Sequence, residues 1–208
     1  MQETVTHTED PLAHITEKQR KLLDELQDLS SLTDQDIFVL ALVYLGLKPA
    51  AMIGLTFQEG FPDYTEQDYE KNIDEVRQFI QRMGLWYEQE RAYPEENDED
   101  QTIWTSFYVA PSPQKTALLH QAFRHGTEAE AARLLGYPET ALRAFPENSI
   151  HELPTELDQN EAAPFLYFRP SKQNWAEEIQ TVKESVQLIR QLMPRLYHRM
   201  LRDFSKSE

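Results

Sequence analysis

The feature that most constrains this chain is an apolar stripe near its C-terminal end. Trp175, Ile179, Val182, Val186, Ile189, Met193, Leu196 and Met200 advance by 4, 3, 4, 3, 4, 3 and 4 residues. Steps that average three and a half keep all of these side chains on one side of a helix, so residues 171–204 read as one long helix with a continuous apolar face. Ser171 is placed to cap its start. Pro194 must kink or split it, because proline removes the bond to the carbonyl of Arg190 and its ring crowds that turn. Arg190, Arg195, Arg199 and Arg202 bring positive charge to the C-terminal end, where the helix dipole favours it. Such a stripe serves either as a spine laid along the chain's own domain or as the seam of a homodimer. The proline favours the spine.

A second stretch, residues 128–145, reads as a short helix, a sharp turn and another short helix. Ala131, Ala132 and Leu135 recur at helical spacing in the first, with Leu134 alongside. Gly136 follows the last periodic residue, where a left-handed backbone costs glycine little. Pro138 then suits the start of a helix, since its missing N–H would have had no intrahelical partner. The second helix turns Ala141, Leu142 and Phe145 to the core. Tyr137, between the turn glycine and the proline, is held extended at an exposed corner and is a candidate contact residue.

The remaining elements follow from periodicity and caps. Residues 1–16 are polar and aperiodic, a loose arm. Leu22, Leu26 and Leu29 mark an amphipathic helix over 17–29. Thr33 caps a helix over 34–45 that is apolar nearly all round and belongs at the centre of the fold. Lys48-Pro49 ends it, with one more turn over 50–53. Residues 60–64 form a loop, and Thr65 caps a helix over 66–83 on the stripe Tyr69, Ile73, Val76, Ile80 and Met83. Residues 85–93 and 102–109 alternate as strands, with Ile103, Thr105, Phe107 and Val109 on one face and Trp104, Ser106 and Tyr108 on the other. Between them, residues 94–100 carry five carboxylates in seven positions, a solvated hairpin tip. A helix over 113–124, an acidic connector over 146–163 and a third strand over 165–168 complete the chain. The expected fold is α+β and mainly helical: about seven helices around a small antiparallel three-stranded sheet. Residues 17–208 form one globular domain, with 17–84 and 85–208 as its sub-lobes if it divides.

Composition then excludes several chemistries. There is no cysteine among the 208 residues, so disulfides, thiolate nucleophiles and cysteine-held metals are out. Six glycines leave little for a phosphate-cradling loop, and neither the phosphate-loop, the hydrolase-elbow nor the zinc-protease motif occurs. His120 and His125 lie near opposite sides of a helix end, poorly placed for one metal; with Glu128 or Glu130 they converge only if the helix breaks at Gly126, and surface or capping roles are the expectation. His151 and His198 have no partner at fixed spacing. No metal and no cofactor are expected, and whether the chain is an enzyme stays open. The longest apolar run, residues 37–47, falls short of the roughly 20 residues of a membrane span. With no basic-then-apolar N-terminus, a cytoplasmic protein away from the membrane is the expectation.

Two resemblances bear on residues 128–145. Ala132, Leu135, Gly136, Leu142 and Phe145 match the spacing of a DNA-binding helix-turn-helix, which implies a recognition helix over 138–145 presenting Glu139, Thr140 and Arg143. A net charge of −16 repels phosphate backbones and argues against a nucleic-acid partner. Leu134-Leu135-Gly136-Tyr137-Pro138-Glu139, followed by Phe145, resembles uncharacterised archaeal and bacterial proteins with a Leu-Gly-Tyr-Pro-Glu motif and paired cysteines. Phe168-Arg169-Pro170-Ser171, then Trp175-Ala176-Glu177-Glu178 and Met193-Pro194-Arg195-Leu196-Tyr197, extend the likeness over the C-terminal half. Thr140 and Ala141 stand where those cysteines would be, so the resemblance implies a shared fold unit and no thiol chemistry.

The leading expectation is a non-enzymatic interaction or regulatory protein with an unidentified protein partner, contacting it through Tyr137, Glu139, Arg143 and the acidic tip. The alternative is an enzyme or small-ligand binder with a pocket between the Gly136 motif and the sheet, lined by Trp104, Tyr108, His120, His125, Tyr137 and Glu139. A helix-turn-helix nucleic-acid binder is the third.

Overall fold

Helix α2 (Asp34–Tyr44) lies at the centre of this computed structural model, which describes residues 12, 14–58, 64–94, 101–148, 157 and 160–205, with the backbone alone over 145–148. The Thr33 hydroxyl accepts from the Asp36 N–H and fixes its first turn, and every residue from Ile37 to Val43 is buried. A helix apolar on all sides needs neighbours on all sides. The sheet, α1 (Glu17–Leu26) and the last helix of the chain pack against it, and α3 (Glu66–Arg82), packed on the sheet, adds its apolar stripe to the same core. Thr16 with Gln19 and Thr65 with Asp68 form reciprocal capping boxes that start α1 and α3 where the sequence placed them.

The sheet consists of β1 (Ala51–Gln58), β2 (Trp86–Ala92) and β3 (Thr102–Ala110) in the order β1-β3-β2, antiparallel throughout. Its inner face carries Ala51, Ile53, Leu55, Thr105, Phe107 and Val109, all buried. Thr105 is satisfied there, because the Tyr69 hydroxyl donates to it at 2.7 Å. The outer face is covered at one end only. There α4 (Pro113–His125) and the turn after α5 (Glu128–Leu134) enclose a smaller core of Ala50, Tyr108, Ala110, Leu119 and Leu135. At the other end Trp104 stays 52 % exposed. Chain order continues with α6 (Glu139–Asn148), a 3-10 turn (Ala163–Phe165), α7 (Trp175–Leu192) and α8 (Pro194–Phe204). Eight helices and one three-stranded sheet among the described residues make this a mainly helical α+β fold, as expected.

The third strand is not the one expected. The stretch 50–53, expected as a helical turn, instead enters β1 at Ala51, and residues 165–168 do not join the sheet. Pro164 lies within the 3-10 turn that starts this aromatic run and Pro170 follows it, so neither flank can extend a ladder through its own N–H. Phe165 instead plugs the core, its ring 5.4 Å from those of both Phe38 and Tyr197. Helix α6 also continues through Pro146 into the stretch expected as connector.

The C-terminal stripe is split at Met193, with α8 starting at Pro194. Ile179, Val182, Val186, Ile189, Met193, Leu196 and Met200 are all buried within the chain's own core, the arrangement of a spine. A side chain from far upstream caps the break: Gln27 Oε1 accepts from the N–H groups of Arg195 and Leu196 at 3.2 and 3.4 Å. The basic end is neutralised internally, Arg195 by Asp24 and Asp28 and Arg199 by Asp34. Ser171 works one step removed from the α7 cap. Its hydroxyl accepts from the Asn174 N–H, while its own N–H and O–H bind the buried Glu178 carboxylate.

Candidate functional site

Gly136 closes α5 in the expected left-handed conformation, φ 78°, and the Tyr137 N–H returns to the Ala132 carbonyl at 3.0 Å. A second constraint joins the first. A Cβ on Gly136 would lie 2.6 Å from Cδ of Pro49, so the turn is pressed against the entry to β1. Beside that contact runs Lys48, only 4 % exposed. Its Nζ donates to the Leu135 carbonyl and lies 4.4 Å from the ring centre of Tyr167 and 5.6 Å from that of Tyr137. Among the described residues no carboxylate forms an ion pair with it, and burial pulls its pKa down to about 7.

Leu135 and Tyr137 also line a pocket of about 590 Å³ between α4, α5 and α6. Its walls are largely apolar: Phe123, Ala131, Ala132, Leu135, Ala141 and Leu142, with Thr127, Glu128 and Arg169 as polar groups. Two short helices with alanines at facing positions cannot fill the angle between them, which leaves the space. Tyr137 is therefore half-buried in a wall, against Tyr167 and Phe168, and not at an exposed corner. Burial raises its hydroxyl pKa and that of Tyr167.

The other candidate residues lie elsewhere. Tyr108 and His120 do meet, around a carboxylate that spacing could not point to. The Tyr108 hydroxyl donates to Glu90 at 3.3 Å, His120 Nε2 lies 3.3 Å from the same oxygen, and Arg124 approaches the other oxygen at 3.2 Å. Burial and then Glu90 raise the Tyr108 pKa. This cluster sits on the outer sheet face under α4, outside the pocket. His125 lines a neighbouring shallow groove with Glu130 and Arg133. Glu130 is held by the N–H and hydroxyl of Thr127, which caps α5. Glu139 accepts from Arg133 Nε at 2.6 Å across the turn, and Arg143 is exposed on α6. Trp104 lies on the open sheet face beside Ala92 and Thr56. Among the described residues no group of histidines and carboxylates could hold a metal ion, and no helix is long and apolar enough to cross a membrane. His151 and most of the acidic tip, residues 95–100, lie outside the described residues.

Lys48, Glu90, Tyr167 and Arg169 are the residues that sequence reasoning passed over. For Lys48 a signal existed: it is the one charge between Leu45 and Ile53, a stretch otherwise fit for burial. Glu90, in a strand with two other charges, offered none. No protein family, curated protein or solved structure matches this chain.

Proposed function

We propose that the chain is a small-ligand-binding protein and that the cleft between α4, α5 and α6 is its site. The observation that carries this is the cleft itself. Its volume of about 590 Å³ lies within the range of small-molecule sites, and its apolar walls are broken by few polar groups, the usual composition of such sites. The wall nearest the sheet is fixed twice, by the Gly136–Pro49 contact and by Lys48, so it is organised before any ligand arrives. Among the described residues, the histidine–carboxylate pair His120 and Glu90 lies outside the cleft, which favours binding over acid–base catalysis there. Titration with the uncharged fluorophore N-phenyl-1-naphthylamine tests the proposal. Saturable binding to the wild-type protein should be lost in Ala132→Trp, which fills the cleft, with circular dichroism unchanged. Equal binding by both proteins, or none by the wild type, would remove the cleft as the site.

A protein-interaction role has one observation of its own. Trp86, Tyr93 and Trp104, all on the β2–β3 hairpin, remain exposed. Of these, Tyr93 and Trp104 lie at the hairpin end that leads into the acidic stretch 95–100, a combination that suits a partner bearing cations. Loss of capture of such a partner on Trp104→Ala, with the fold retained, would support this second role.

A further inference from the structure

We propose that the free edge of β1 is a docking edge that takes an extended, basic peptide segment of a partner protein as an added strand. This rests on the protein-interaction role and names the place and the kind of segment it takes.

β1 lies at one side of the sheet and pairs with β3 alone. In an antiparallel pair alternate residues turn both backbone groups to the partner, and the residues between them turn both away. Half of the amides and carbonyls of β1 therefore have no ladder partner. Outside that ladder, the one hydrogen bond of β1 among the described residues is at the Leu55 carbonyl, which accepts from the Tyr69 hydroxyl at 3.4 Å. Ala51, Ile53 and Leu55 are buried, where unpaired backbone groups would be costly. That assigns the outward-directed groups to the exposed Met52, Gly54, Thr56 and Gln58.

Edges of this kind are normally guarded by a charge, a proline or a bulge. β1, Ala-Met-Ile-Gly-Leu-Thr-Phe-Gln, has no charge and no proline, and its eight residues pair with β3 in an unbroken register. The opposite edge is guarded: β2 carries Glu88, Glu90 and Arg91, and α4 packs beside it. An unguarded edge of that length is a template for main-chain pairing with an extended peptide.

Charge selects the occupant. Neither β1 nor β3 bears a charge of its own. Phe57 stacks on Tyr69 with ring centres 5.6 Å apart, which brings the first turn of α3, with exposed Glu66 and Asp68, to the Gln58 end of β1. With a net charge of −16 on the chain, this favours cations and opposes a second copy. Trp104 offers those cations a ring. It pairs with Thr56, so a residue opposite Thr56 on the added strand stands two strand spacings, about 10 Å, from it. The stem of a lysine or arginine lies across Thr56 and brings its head within range of the indole, which is exposed. Gly54 keeps the surface beside it low, since an added Cβ there meets nothing within 4 Å.

A fluorescein-labelled peptide of alternating Lys and Thr, about nine residues long to match β1, tests this on the full chain. Anisotropy should show saturable binding that is absent when Glu replaces Lys. Binding should also be absent when every backbone nitrogen is methylated, which keeps the charges and removes the ladder donors. At saturation the amides of Met52, Gly54 and Thr56 should become protected from hydrogen exchange, read by NMR. Thr56→Lys, at an exposed position, should weaken binding at least about tenfold with circular dichroism unchanged. Equal binding of the methylated peptide, unchanged exchange at those amides, or undiminished affinity of Thr56→Lys would overturn the proposal. So would protection that appears without peptide and grows with protein concentration, because a second copy then holds the edge. If the peptide binds and Trp104→Ala abolishes that binding while the β1 amides exchange as before, the edge falls and the hairpin aromatics stand. If the peptide does not bind at all, both fall.

Discussion

Lys48 Nζ donates to the carbonyl of Leu135, 87 residues further along the chain, and fastens the entry of β1 to the turn between α5 and α6. The bond joins two segments that sequence reading treated as unrelated punctuation, a helix stop and a helix-turn-helix. Because Leu135 and Tyr137 also line the cleft, the protonation of one buried amine bears on stability and on the shape of the site together.

The pH dependence follows from the depressed pKa. In the unfolded chain Lys48 stays protonated up to its ordinary value, about 10.4. In the folded protein it loses its proton near 7. Between these values the unfolded state binds the extra proton, so stability rises with pH across that window and is at its lowest level below it. Lys48→Met keeps the length of the side chain and removes the titration. Urea denaturation at intervals from pH 6.5 to 9.5 should show a wild-type slope approaching about 1.4 kcal/mol per pH unit, with the variant flatter. Parallel curves for the two proteins would show that the amine is not neutral when buried.

Gly136 and Gly84 separate two costs usually measured together. Both have positive φ, 78° and 71°. At Gly84 an added Cβ meets nothing within 4 Å, whereas at Gly136 it meets Pro49 at 2.6 Å. Gly84→Ala should therefore cost about 1–2 kcal/mol, the conformational term alone. Gly136→Ala should cost a further 1–3 kcal/mol or so for overpacking, and should weaken fluorophore binding, which Gly84→Ala leaves intact. Equal losses in urea midpoint for the two variants would mean that the turn is not pressed against β1.

How far the sequence revealed this fold depended on whether its signals were local. The hydroxyls of Thr33 and Thr65 cap the helices that follow them, as read, because a cap is decided by neighbours three residues apart. The inward face of β3 was readable from its alternation. In β1 the same alternation is present, Ala51, Ile53 and Leu55 inward with Met52, Gly54 and Thr56 outward. An outward Met and a mid-strand Gly, directly after an apolar helix, obscured it. The aromatic run at 165–168 misled for the opposite reason: its side chains favour strands, but it begins in a 3-10 turn that holds Pro164 and sends Phe165 into the core. Long-range pairings had no local signature at all. Gln27 capping α8, Glu90 gathering Tyr108, His120 and Arg124, and Lys48 reaching Leu135 exist only once the chain has folded.

The stripe of α7 and α8 was compatible with a spine or a dimer seam, and its position gives a measurable distinction. Ile189 has no exposed surface within the single chain, and Met193 and Leu196 beside the break have none either. A residue buried in its own subunit loses packing on truncation whatever the concentration. Ile189→Ala should lower stability by about 2–5 kcal/mol, the usual cost of emptying an isoleucine site in a core. Its urea midpoint should be the same at micromolar and at hundred-micromolar protein, and light scattering should give one mass for variant and wild type. A midpoint that climbs with concentration would mean that folding is coupled to association. In that case surface outside this stripe, such as the exposed hairpin aromatics, would have to supply the contact.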